Sequence, residues 1–108
     1  MTLPEAEFDR VADEELHALE RALGDVDPDE LEVELSSGVL TLMLADGQKV
    51  IVNSHRAARQ IWMAAFRNAW HFSPVADGGR TLWKTDKDEL RATLARVLGE
   101  KLGRAISL

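Results

Sequence analysis

The stretch Val39–Trp62, VLTLMLADGQKVIVNSHRAARQIW, decides how this chain folds. Two apolar runs, Val39 to Leu44 and Gln48 to Asn53, flank Asp46-Gly47, and a third follows at Gln60-Ile61-Trp62. Asp-Gly between two such runs is the strongest short-range hairpin signal, because a tight hairpin turn needs residues that accept positive φ. Both runs are apolar at most positions, which marks them as central strands of an antiparallel sheet.

Towards the N-terminus, Ser36-Ser37-Gly38 is a turn. Before it, Leu31, Val33 and Leu35 alternate with Glu32 and Glu34, the pattern of a half-buried strand. Asp25 to Glu30 is a short acidic loop containing Pro28. Earlier still, Phe8, Val11, Ala12, Leu16, Leu19, Ala22 and Leu23 recur at helical spacing. The other face of that helix carries Asp9, Asp13, Glu14, His17, Glu20 and Arg21. Thr2 is a candidate cap, with Pro4 in the first turn, Glu5 three residues after Thr2, and Gly24 as the stop. A first helix is therefore expected over about residues 4–23.

Towards the C-terminus, Ser54 to Arg59 reads as a polar connection and Arg59 to Ala64 as a strand. That strand puts Ile61 and Met63 on one face and Gln60 and Trp62 on the other. The composition of residues 57–67 suits a helix as well, and periodicity does not separate the two. Trp70-His71-Phe72 is a short strand ended by Ser73-Pro74; after the turn Asp77-Gly78-Gly79, Thr81 to Lys84 pairs back. Thr85 or Asp86 is expected to cap a second helix, with Asp88 or Glu89 completing the capping box. Its stripe is Leu90, Leu94, Val97, Leu98 and Leu102, Gly103 ends it, and the apolar tail Ala105–Leu108 is expected to dock between the helices. Helix, run of strands, helix predicts an α+β two-layer sandwich, with both helices on one face of an antiparallel sheet. A chain of 108 residues fits one such domain, residues 1–108.

Cysteine is absent, which excludes disulfides, thiolate metal sites and thiol nucleophiles. No run approaches the ~18 apolar residues of a membrane span. The acidic N-terminus lacks the basic-then-apolar layout of a signal peptide, so a mature cytoplasmic protein is expected. The net charge of −6 hides an asymmetry: residues 1–35 hold 13 of the 19 acids and two basic residues, leaving −11 there and +5 on the rest. Such a field disfavours nucleic acid at the N-terminal face and favours cations or a basic protein partner.

No nucleophile–base arrangement is visible. His17, His55 and His71 fall on separate elements, and HExxH, P-loop and GxGxxG motifs are absent, so no enzyme is expected. Asp13, His17 and Glu20 share one helix face, with Asp25, Asp27, Asp29 and Glu30 just beyond the helix. Hard oxygen donors of this kind suit Ca²⁺, Mn²⁺ or Fe²⁺ held loosely with water; equally, such a face simply keeps a protein soluble. If the helices cover one side of the sheet, Asn53, Gln60 and Trp62 lie on the other. A Trp flanked by amides there is the composition of a protein-binding hot spot; periodicity alone equally allows Trp62 to face the core. Phe72, Trp70 and Trp83 are expected in the core or at its rim.

Gly38-Val39-Leu40-Thr41, then Asp46-Gly47 with Lys49-Val50-Ile51-Val52-Asn53, then Gln60-Ile61-Trp62-Met63-Ala64, resembles the signature of the frataxin family. Trp70-His71-Phe72 is similar to the aromatic strand that follows it, and Trp83 to a later strand tryptophan. The resemblance covers nearly the whole chain, and it is this that selects strand over helix for residues 59–64. Ala57 stands where the family usually has proline, and Asn68-Ala69 where it usually has glycine.

The start at the first helix resembles the bacterial branch, which lacks an organellar extension. The resemblance implies weak surface binding of iron (Fe²⁺/Fe³⁺), without an organic cofactor, and a role in iron–sulfur cluster assembly. Its implied partners are the cysteine desulfurase and the scaffold protein, with the chain monomeric when iron is absent. Matched residue by residue, the metal-binding ridge falls on Glu5, Glu7, Asp9, Asp13, Glu20, Asp25, Asp27 and Asp29. Gly24 stands where an acid is common, and Asn53, Gln60 and Trp62 match the partner-binding positions. The remaining readings are an acidic adaptor whose metal uptake is incidental and, third, a metal-dependent oxidase.

Overall fold

The computed structural model describes residues 3–108, so the expected cap at Thr2 lies outside the described residues. The elements run α1 (Glu5–Leu23), β1 (Leu31–Ser36), β2 (Val39–Leu44), β3 (Lys49–His55), β4 (Gln60–Ala65), β5 (Asn68–Asp77), β6 (Arg80–Lys84) and α2 (Leu90–Leu102). The strands form one antiparallel sheet in chain order, β1 to β6. Both helices lie on one side of it, α1 against β1, β2 and β3, and α2 against β6. This is the α+β two-layer sandwich that the pattern predicts.

The hairpin around Asp46-Gly47 forms as expected. Gly47 takes φ +88, and the Asp46 carboxylate accepts from the Gln48 N–H at 2.9 Å. That bond, helped by Lys101, holds the Asp46 carboxyl below its ordinary value of 3.8. A carboxyl so depressed favours the fold above that value and loses its contribution as pH falls through the folded-state pKa.

Residues 60–65 are strand rather than helix, pairing with β3 from Val50↔Ala65 to His55↔Gln60. β3 therefore runs two residues further than expected. The polar connection shrinks to a tight turn closed by Arg59 N–H to Arg56 C=O at 3.1 Å, with Arg59 at φ +53. β5 corrects a larger error, because it passes straight through Pro74 to Asp77. The β4 ladder on one side ends at Phe72, so Pro74 lies beyond it and its missing N–H interrupts nothing there. On the other side Ser73 to Asp77 pair with β6.

The helix ends also depart from expectation. Thr85 Oγ1 accepts from the Lys87 and Asp88 N–H groups and so closes a turn ahead of α2. The cap is Glu89, whose carboxylate accepts from Arg91 and Ala92. Gly103 ends α2 at φ +73, and its N–H and that of Arg104 both reach the Gly99 carbonyl. Gly24 closes α1 in right-handed geometry instead.

The core is built from the inward rows of the strands and the helix stripes, with Phe8, Leu16, Leu42, Val52, Ile61, Phe72, Trp83 and Leu94 all sealed from solvent. Phe8 meets Trp83 edge to face at 5.9 Å. Trp70, Ile106 and Leu108 pack on its margin, so the tail does dock.

Glu15 is the exception on α1. It sits within the apolar stripe, 6% exposed, and Arg91 of α2 grips it through two bonds of 2.6 and 3.0 Å. Its carboxylate holds the Arg91 guanidinium above its ordinary value. An acid in an apolar stripe with an arginine on the other helix was the available signal. No described helix is long and apolar enough to cross a membrane.

Two outcomes follow from this packing. Arg91→Ala leaves the Glu15 carboxylate without its partner. Because Arg91 is half exposed, the cost is expected at about 2 kcal/mol, below that of a fully buried pair, read from urea denaturation. Deleting residues 104–108 removes the marginal apolar contacts and the Arg104–Glu30 pair, and should cost a further ~2 kcal/mol in the same assay.

Candidate functional site

The helical repeat sorts the acids of α1 into two flanks. Glu5, Asp9, Asp13 and Glu20 project on one, while Glu7, with Glu14, projects on the other. The first flank faces the turns that join β1 to β2 and β3 to β4, across a cleft of about 570 Å³ lined by Asp9, Asp13, Ser37, Ser54 and Arg56.

Arg56 bridges this cleft. It pairs with Asp9 at 3.0 Å and Glu5 at 3.5 Å, and the two carboxylates hold its guanidinium above its ordinary value. The adjacent Arg59 donates to the Leu3 carbonyl at 2.9 Å, fixing the approach to α1. Asp13 lies 3.4 Å from the His17 ring. Asp27 accepts from the Asp29 N–H at 2.9 Å and so shapes the acidic loop. Asp25, Asp29 and Glu7 stand in solvent, and Glu20 is half buried.

Among the described residues no three of these carboxylates and imidazoles converge on a single point suited to a metal ion. The flank is therefore a line of separated, mostly exposed oxygen donors. Chemically it can attract cations and hold one weakly with water filling the shell.

The sheet's far side is bare. Cross-strand register puts Asn53 opposite Trp62, Trp62 opposite His71, and His55 opposite Gln60, all pointing away from the helices. Trp62 thus takes the outward orientation. Its indole lies between two imidazoles, His55 at 3.8 Å and 10° and His71 at 4.1 Å and 11°. Its Nε1 donates to the Gln60 Oε1 at 2.9 Å, and the Gln60 amide in turn donates to Ser73 Oγ at 3.1 Å. Asn53 donates to the Ser54 carbonyl at 3.4 Å.

The sequence reading missed the two histidines as parts of this site. The signal was the hairpin register itself, which sets His71 directly across from Trp62 and His55 on the diagonal. Val39 and Ile51, both about a third exposed, extend the same face beside Thr41, Ala64 and Ala69. On β2 to β4 the result is a platform without carboxylates, with an indole held rigid at its centre and with Glu32 and Glu34 of β1 along its edge. A fixed aromatic of this kind binds with little loss of side-chain entropy.

Comparison with known proteins agrees with this architecture. The family model described as "Frataxin-like domain" matches residues 1–107. The iron-sulfur cluster assembly protein CyaY of Azotobacter vinelandii is 33% identical over 106 residues, covering 98% of this chain and 96% of the relative. The protein of the same name from Dechloromonas aromatica is 36% identical over 107 residues, covering 98% and 99%. The solved structure of a frataxin from Psychromonas ingrahamii superposes with a TM-score of 0.81 over 97% of each chain, at 19% identity, which speaks to the fold.

The stack can be weighed directly. In a double-mutant cycle on Trp62→Ala and His71→Ala, a coupling energy of about 0.5–1.5 kcal/mol is expected from chemical denaturation. Simple additivity would mean that the contact contributes nothing to holding the indole.

Proposed function

The chain belongs to the frataxin-like family, and on that footing we propose that it takes part in iron–sulfur cluster assembly, as a non-catalytic, iron-binding modulator of the cysteine desulfurase and its scaffold. Relatives at 33% and 36% identity carry cluster-assembly names. The observation that carries the reading is the division of one small domain into an acidic flank and a platform with a clamped tryptophan.

Each surface then has its own physical task. The acidic flank and the Asp25–Glu30 loop attract a basic patch of the desulfurase, hold Fe²⁺ cargo, or do both. Weak, open coordination suits an ion that must be passed on. The platform supplies short-range contact, with Trp62 as anchor and Asn53 and Gln60 as its polar surround. Long-range attraction sets the encounter rate and orientation; the apolar anchor sets the lifetime of the complex.

The alternative reading is an adaptor whose metal binding is incidental. It draws on a specific feature: Glu5 and Asp9 already face Arg56, so part of the acidic flank is internally neutralised.

Substituting Glu20→Lys together with Asp25→Lys tests the electrostatic half. Desulfurase affinity should fall about tenfold at low ionic strength, and the difference should shrink as salt is raised. Trp62→Ala should weaken binding at every salt concentration. In an anaerobic NMR titration, Fe²⁺ should broaden signals of α1 and residues 25–30. Unchanged desulfurase affinity in the charge variant would sink the docking mechanism. An absent metal response with partner binding intact would leave the adaptor.

A further inference from the structure

The turn between β4 and β5 carries Phe66 at φ +58, in the left-handed region where glycine is at home. A bulky residue seldom occupies that region without compensation. Phe66 is 42% exposed, so packing in the core does not supply the compensation. Around it stand three cations. The Lys101 ammonium lies 4.9 Å above the ring, and Lys49 and Arg67 line the adjoining cleft of about 340 Å³ with Gln48. Lys101 also reaches Asp46 at 3.3 Å; among the described residues, Lys49 and Arg67 have no carboxylate within ion-pair distance.

We infer that this tip — Phe66 with Lys49, Arg67 and Lys101 — is a docking point for a short acidic segment of a protein partner that also presents an apolar side chain. The chemistry is complementary on both counts. Carboxylates of the segment answer Lys49 and Arg67, and its apolar residue covers the exposed ring. The tip lies in the turn just past the end of β4, apart from Trp62 within the strand, and its charge is opposite to that of the acidic flank. The domain can therefore hold a basic and an acidic surface at once.

A long polyanion fits this place poorly. Glu30 and Asp46 border Lys101 on the neighbouring cleft, so an extended phosphate backbone or an anionic lipid surface meets negative charge immediately beside the cations. A few residues of acidic peptide reach the cations without crossing those acids. The whole chain, at −6, opposes broad polyanion binding further.

The probe is a synthetic peptide in which paired Asp and Glu alternate with Leu and Phe, titrated into the full chain and followed by amide NMR shifts. The expected result is a salt-sensitive response centred on Lys49, Phe66, Arg67 and Lys101. Phe66→Gly is the informative variant, because glycine suits φ +58. It should melt at the same or a higher temperature, yet bind the peptide about tenfold more weakly. The pair Lys49→Glu with Arg67→Glu should abolish the response.

Several results would overturn the proposal. One is peptide binding that both variants leave unchanged. Another is no response at the tip, or a response mapping elsewhere. A drop in melting temperature for Phe66→Gly with binding intact would make the ring a structural rest for Lys101. Tighter binding at the tip by oligothymidylate, or by phosphatidylserine vesicles, would replace the peptide with a polyanion.

Discussion

Everything in this molecule depends on the two-residue alternation of a sheet that is covered on one side only. Each strand sends every second side chain towards the helices, and that row must be apolar: Leu40, Leu42 and Leu44, then Val50 and Val52, then Ile61, Met63 and Ala65. The intervening residues are released from the core and left free to serve a surface. Because a slip of one residue would exchange the two rows, the Asp46-Gly47 turn and the Arg56–Arg59 turn fix the core and the platform together. The outward position of Trp62 is thus a consequence of where Ile61 must go.

What could be read without coordinates follows from how local each signal is. The hairpin and the α1 stripe rest on short-range periodicity and stand as expected, apart from Ala22, which is exposed; periodicity left Trp62 open between core and surface, and the paired register of β3, β4 and β5 turns it outward with Asn53 and Gln60. Pro74 was misjudged because its tolerance depends on where the neighbouring ladder stops, a fact about β4 rather than about β5. The cap expected at Thr85 or Asp86 falls instead on Glu89, because hydroxyl and carboxylate alike accept from backbone N–H groups and only the intervening turn decides between them. Glu15 escaped for a related reason. The acid within the apolar stripe is visible locally, but its partner Arg91 lies 76 residues away. The acids were legible as a charge field, but not their individual commitments: Arg56 engages Glu5 and Asp9, and Asp27 serves its own loop.

Those commitments change how the acidic flank works. A carboxylate already paired with a guanidinium contributes less to the distant field and is costlier to recruit to an ion. Asp25 and Asp29 beyond the helix end, without ion-pair partners among the described residues, therefore carry with Glu20 more of the long-range attraction than a count of charges suggests. Arg56 and Arg59 in turn anchor the start of α1 to the β3–β4 turn, so the same contacts that moderate the charge also fix the flank relative to the sheet. Charge and platform keep a constant geometry, which a two-surface docking mechanism requires.

The two aromatic features on the open surfaces of this fold are held by different means. Trp62 is braced by flat contacts on both faces and a bonded Nε1; it is pre-formed and costs little to use. Phe66 is placed by a backbone that disfavours it, with one cation above the ring and an open cleft lined by Lys49 and Arg67 beside it. A rigid anchor suits a partner met through a broad surface. An exposed ring on a strained turn suits a narrow one, where a single side chain and a few charges make the whole contact. That such different supports occur within β4 and in the turn just past it argues that the two places meet different chemistry. β4 then does more than complete the sheet, because it carries one recognition point and sets its spacing from the other.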